Sequence, residues 1–276
     1  MRYFVFILAS YFFVSCSQKL KESPSSAPTS KITKVEPVIE KPKRKVITDD
    51  NVADTLLAYG KVHPETIAKI TTSLGTIKIR LFKETPLHRA NFIMIANTGY
   101  FDSTVFSRVV PNFMAQAGSG YNGTHTDLKT KMGAYTIPAE FNASLFHKKG
   151  AVAMAREYRN NPEKRSNPYA FYFVEGSIFS NETLDIYEKK TGNKFTKEQR
   201  DYYTKNPGAA HIDNEHTVFG EIIEGFDVVP KLTAVETDGQ DWPREDLFIL
   251  KVEILKLKTN TVLICQKYCL KLIGLT

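Results

Sequence analysis

The 276-residue chain is poor in cysteine, with three in all, at Cys16, Cys265 and Cys269. So few cannot build the disulfide framework of a small stapled scaffold, and a chain of this length buries a core without one. Zinc ligands are lacking too. Cys265 and Cys269 stand four apart with no histidine nearby, and a disulfide across one helical turn would strain the backbone. They read as incidental apolar residues. No apolar run reaches the roughly 20 residues of a permanent membrane-spanning helix. A basic face is also missing. The net charge is +7, but residues 17–49 hold eight basic and four acidic side chains, so +4 of it sits there and the rest is close to balanced. With neither zinc-finger spacing nor an aromatic-plus-glycine RNA-binding signature, no nucleic-acid partner is expected.

What is present begins with an address. Met1 to Ser15 carries one positive charge, Arg2, then apolar residues from Tyr3 to Ala9 and Phe12 to Val14. Basic start, apolar middle and small-residue end predict a secretory signal over 1–15. Phe13-Val14-Ser15-Cys16 resembles the lipobox of bacterial lipoproteins, which prefers Leu at the place of Phe13. On that reading Cys16 is lipidated, and the protein is expected in a bacterial cell envelope, anchored to membrane by lipid and facing the periplasm. The other reading is a plain cleaved signal beside a chance cysteine. Residues 16–49, rich in Ser, Pro and Lys, hold too little apolar surface to fold and read as a flexible tether. Its run Lys41 to Lys45 suits anionic lipid heads, or is simply solvated.

The folded part is expected over 50–256. Asp50 to Tyr59 reads as a short leading helix. Ile67–Thr72 and Thr76–Leu81 read as a hairpin around Ser73-Leu74-Gly75, because Ile77, Ile79 and Leu81 alternate with Lys78 and Arg80. Thr85 as N-cap, Pro86 at the first helical position and Gly99 at the exit bracket an apolar helix. Strands follow at 105–110, 113–117, 150–155, 171–174, 217–222 and 248–255, with a second helix over 226–234 that Pro230 shortens or kinks. Many short strands and two scattered helices predict a mainly β barrel or sandwich. Between Ser180 and Asn206, Asn181 and Thr196 each suit a helix start with Gly192 between them, which predicts a helical insertion over 177–207. No role is assigned to the tail 257–276, nor to His88, His125 and His147.

Four segments carry a family resemblance. FSRVVPNFMAQAG (Phe106 to Gly118), GAVAMAR (Gly150 to Arg156), FYFV (Phe171 to Val174) and HIDNEHTVFGEIIEG (His211 to Gly225) resemble, in order, the signature stretches of the cyclophilins. The resemblance implies a closed eight-stranded antiparallel barrel capped by two helices. It also implies peptidyl-prolyl cis-trans isomerisation of proline-containing polypeptides, with no metal or cofactor. Arg108 matches the catalytic arginine, and Gln116 the residue that helps hold it. Phe113, Met114, Tyr172 and Ile212 match the proline slot, Ala155 and Arg156 its rim, and His216 a pocket histidine that packs or hydrogen-bonds. Each of these taken singly also reads as core.

Three departures stand out. Ser107 replaces the histidine before the catalytic arginine. His211 occupies the place of the ring-stacking tryptophan at the substrate site, which implies weaker cyclosporin binding. Pro168-Tyr169-Ala170 replaces Gly-Ser-Gln, removing a peptide contact and adding bulk beside the groove. Two functions remain open: an isomerase assisting folding of exported proteins, expected as a monomer, or a module that binds proline segments with little turnover.

Overall fold

The computed structural model describes residues 46–256. The expected signal, Cys16, nearly all of the tether, and the tail 257–276 with Cys265 and Cys269 lie outside the described residues. Eight strands form the body: β1 (Ile67–Thr72), β2 (Gly75–Leu81), β3 (Thr104–Val110), β4 (Met114–Ser119), β5 (Ala151–Met154), β6 (Phe171–Val174), β7 (Val218–Glu224) and β8 (Phe248–Leu255). They close into one barrel in the order β1-β2-β7-β5-β6-β4-β3-β8, every pair antiparallel. The closed barrel implied by the family resemblance is thus present, and closure leaves no open sheet edge.

Period two sorts the strand residues between two apolar clusters. Ala115, Ala117, Val152, Met154, Phe171 and Phe173 join the barrel interior. Their neighbours Met114, Ala151, Ala153, Tyr172 and Val174 form a second cluster on the outer face. A sheet buried on both faces reads as near-continuous apolar sequence, which is why FYFV and AVAM show no alternation.

Among the described residues six α-helices decorate the barrel: α1 (Val52–Val62), α2 (Pro86–Asn97), α3 (Thr126–Met132), α4 (Asn181–Thr191), α5 (Lys197–Tyr203) and α6 (Val228–Thr233). The two caps are α2 and α6. α2 drives Phe92 into the interior, where its ring meets Phe101 at 5.1 Å, Phe171 at 5.3 Å and Phe219 at 5.6 Å. Thr85 stands at the N-cap, but its hydroxyl makes no capping bond. The Glu140 carboxylate does that work from 52 residues away: the N–H groups of Leu87 and His88 donate to it at 3.0 Å each. In α6, Pro230 falls in the first turn, where its missing N–H would have had no helical partner.

Two expectations need correction. α3 lies outside the expected helices, because its apolar signal is a single i, i+4 pair, Leu128 and Met132, set among polar residues. The folded part also starts before residue 50. Ile47 is buried and its N–H donates to Met132 O at 2.9 Å, while the Asp49 carboxylate accepts from Thr136 N and Oγ1 at 2.6 and 2.9 Å.

The insertion is two helices, as the cap signals predict. Ser180 Oγ accepts from Thr183 N, Gly192 turns the exit at φ +74°, and Thr196 forms a reciprocal capping box with Gln199. It has a small core of its own, with Leu184 and Tyr203 against Phe146 and Ala210. Its base is pinned by paired backbone bonds between Ser177 and Gly208, at 2.8 and 2.9 Å.

Candidate active site

A groove of about 220 Å³ lies on the outer face, lined by Arg108, Phe113, Met114, Gln116, Ala155, Arg156, Tyr158, Tyr172, Ile212 and His216. Strand register brings several together: Gln116 faces both Arg108 on β3 and Tyr172 on β6, and Tyr172 also faces Ala153 on β5. Arg108 reaches the groove through a bulge. Simple alternation would put it on the same side as the buried Phe106, but the β3–β4 register slips between them, and the extra residue turns Arg108 outward. Phe113 is presented by the β3–β4 turn. Pro111 and Asn112, the latter at φ +58°, close it with Phe113 N donating to Val110 O at 3.1 Å, the residue pattern of a type II turn.

Arg108 is held differently from the expectation. Its Nε donates to Asp241 Oδ2 at 3.0 Å, and its guanidinium carbon stands 6.0 Å from the centre of the Phe113 ring. Gln116 lines the groove but makes no hydrogen bond to Arg108; among the described residues its amide has no protein partner, so it is free to meet a ligand. Asp241 lies 133 residues from Arg108, and nothing in the sequence marks it.

Arg156 sits at the rim with its guanidinium committed. Nε donates to Glu215 O at 2.7 Å, Nη2 contacts the Glu215 carboxylate, and the group lies 4.1 Å from the centre of the Tyr158 ring. Burial alone would raise the Glu215 carboxyl, but bonds from Lys164 and Arg156 hold it below its ordinary value. The backbone of Ala155 is also engaged, its N–H with Ala170 O and its C=O with Asn167 N.

His216 is a neutral wall. Burial, then the neighbouring His147, push its imidazole down to about 3. Nδ1 donates to Met154 O at 3.1 Å, so Nε2 accepts from the Tyr158 hydroxyl at 2.7 Å. Both nitrogens are used and neither is placed as a base. Tyr158, an exposed aromatic two residues after Arg156, was missed as a wall; its only sequence signal is that position.

His211 is not a lining residue. Its ring leans on Phe113 at 4.8 Å from behind, and on Tyr187 and Phe179 of the insertion segment at 5.8 and 6.4 Å. Burial lowers its imidazole as well. Tyr169 turns away from the groove. Its ring packs on Tyr100 at 4.8 Å beneath Lys129 of α3, and its carbonyl presses on Gly118, where an added Cβ would come within 2.0 Å. Ala170 is buried and leaves no amide at the groove. Ser107, in place of the expected histidine, accepts a hydrogen bond from Ser119 Oγ at 3.1 Å.

What this arrangement can do is bind an extended chain with an apolar, proline-sized side group beside one exposed guanidinium. A family profile described as "Cyclophilin type peptidyl-prolyl cis-trans isomerase/CLD" matches residues 67–254. A putative bifunctional phosphatase/peptidyl-prolyl cis-trans isomerase of Streptococcus pyogenes is 32% identical over 190 residues, 67% of this chain but only 38% of that protein. A peptidyl-prolyl cis-trans isomerase of Acinetobacter baylyi is 29% identical over 209 residues, 74% of this chain and 93% of its own length. Peptidyl-prolyl cis-trans isomerase A of Dickeya dadantii is 28% identical over 192 residues, 68% of this chain and 83% of its own. A crystal structure of a Cryptosporidium parvum cyclophilin type isomerase aligns at 18% identity and a TM-score of 0.49, covering 70% of this chain and 99% of that one.

Proposed function

The chain belongs to the cyclophilin-type peptidyl-prolyl cis-trans isomerase family, and from that premise we propose that this groove isomerises X–Pro bonds in polypeptide substrates, with Arg108 as its catalytic residue. The uncatalysed barrier, roughly 18–20 kcal/mol, comes from the partial double bond of the amide. A cation placed at the prolyl nitrogen draws its lone pair out of conjugation and lowers that barrier without a covalent intermediate. With Nε engaged by Asp241, the two terminal nitrogens of the Arg108 fork are the donors left for substrate. Phe113, Met114, Tyr172 and Ile212 take the ring of the proline, and Gln116 offers its unpartnered amide to the peptide backbone. The observation that carries this reading is the meeting of Arg108 and Gln116 with that apolar slot in one groove.

The reading predicts that Arg108→Ala abolishes acceleration of proline isomerisation in a short peptide. Equal rates in the two proteins would overturn it. One observation favours the second reading, a module that holds proline segments without turnover: Arg108 is already paired with Asp241. The same assay separates the two, since the module predicts peptide binding with no rate enhancement in either protein.

The signal-like leader and Cys16 support a setting in a bacterial envelope, with the enzyme anchored by lipid and acting on exported proteins. Metabolic palmitate labelling that persists in Cys16→Ala would contradict the anchor.

A further inference from the structure

Resting on that reading of the groove, we propose that the helical insertion is a positioning element for the proline slot, and that Tyr203, Asp213 and His147 are positioning residues acting through Tyr172. A continuous buried chain joins them. The Tyr203 hydroxyl, at the end of α5, donates to Asp213 Oδ2 at 2.7 Å. Asp213 Oδ1 accepts from the His147 backbone N–H at 3.0 Å and from its ring Nδ1 at 2.7 Å. With Nδ1 committed, Nε2 is left to meet the Tyr172 hydroxyl at 3.0 Å, and the two rings lie 6.1 Å apart and nearly parallel, at 9°. All four side chains are buried, Tyr203 completely.

Each link is fixed by its surroundings. Both Asp213 oxygens are used, so the carboxylate has no second arrangement that keeps its bonds. Tyr203 is wedged against Gly208, where a Cβ would come within 2.4 Å of its ring, and Gly208 is bonded on both sides to Ser177 at the foot of the insertion. Burial raises the Tyr172 hydroxyl well above its ordinary value, so it stays protonated and needs a partner in the wall. A phenyl ring at this position would make no such demand. The opposite wall leans on the insertion as well, through Phe113, His211 and Tyr187. The insertion therefore sets the width of the slot by holding both of its aromatic sides.

A wall of the slot contacts the proline ring equally before and during rotation, so misplacing it weakens binding rather than turnover. The test uses the full chain and a proline-containing peptide. Tyr203→Phe removes one hydroxyl and its bond to the Asp213 carboxylate, and is expected to raise KM about fivefold or more with kcat unchanged. In a Tyr172→Phe background, where the last link is already gone, Tyr203→Phe is expected to leave KM where it stands. An unchanged KM in the single variant, or equal effects in the two backgrounds, would overturn the proposal. A parent protein without isomerase activity overturns the functional reading instead. The relay is then judged by the ring nitrogen signals of His147 in NMR: a shift on Tyr203→Phe supports it, and unmoved signals overturn it too.

Discussion

Two buried imidazoles are wired almost identically and serve different ends. His88 on α2 bonds Glu140 Oε2 at 2.6 Å through Nδ1 and Ser166 Oγ at 2.9 Å through Nε2. His147 bonds Asp213 and the Tyr172 hydroxyl with the same polarity of nitrogens. The first chain has the connectivity of a nucleophilic triad, yet Ser166 and His88 are fully buried and line none of the grooves described. It is a staple that ties the start of α2 to two loops. The second chain ends on a groove wall. Access separates them, and connectivity alone would name a structural staple as a reaction centre.

The sharpest way to break this contrast is Glu140→Ala. It removes the acceptor of two helix N–H groups and of His88 at once, and is expected to cost about 3 kcal/mol of stability in denaturant titration, with KM for the peptide unchanged. A raised KM at full stability would make the staple part of the site. A third imidazole, His216, supplies the next test, because no carboxylate bonds it. Its folded value of about 3 lies below the ordinary 6.5. Between those pH values the unfolded chain binds a proton that the folded chain refuses. Stability is therefore whole above pH 6.5 and falls as pH drops toward 3, by up to about 1.4 kcal/mol per unit. His216→Phe is expected to flatten that acid limb, read as the stability of the two proteins at pH 7 and pH 5. The smallest effect belongs to Asp241→Ala. The Arg108–Asp241 pair is exposed on both sides, so its loss is expected to change stability by less than about 1 kcal/mol. Freed from its tether, Arg108 loses alignment, and kcat is expected to fall by a few-fold with KM unchanged.

Much of this was legible in the sequence, and the reasons differ by element. The hairpin β1–β2 and the insertion helices were readable because their signals are local: alternation in one, cap residues in the other. The four motif segments located Arg108, Phe113, Met114, Gln116 and Tyr172 in one groove. What escaped is non-local. Asp241 meets Arg108 across 133 residues, and Glu140 caps α2 from a distant loop in place of Thr85. Tyr169 is expected at the groove because its segment stands where the family has Gly-Ser-Gln. A bend just before β6 instead turns its ring to the other side, against Tyr100. His211 was placed on the lining by alignment, and the structure puts it one layer behind, because an aromatic insertion occupies the space beyond it.

On the proposed function, Arg108 supplies turnover and the slot supplies binding. Exchange spectroscopy on one proline-containing peptide reads both, giving affinity and interconversion rate in the same sample. Arg108→Ala is expected to keep affinity within a few-fold of the parent and to lower the rate by about 100-fold or more, the usual cost of removing one aligned electrostatic donor. An undiminished rate at equal affinity would contradict it.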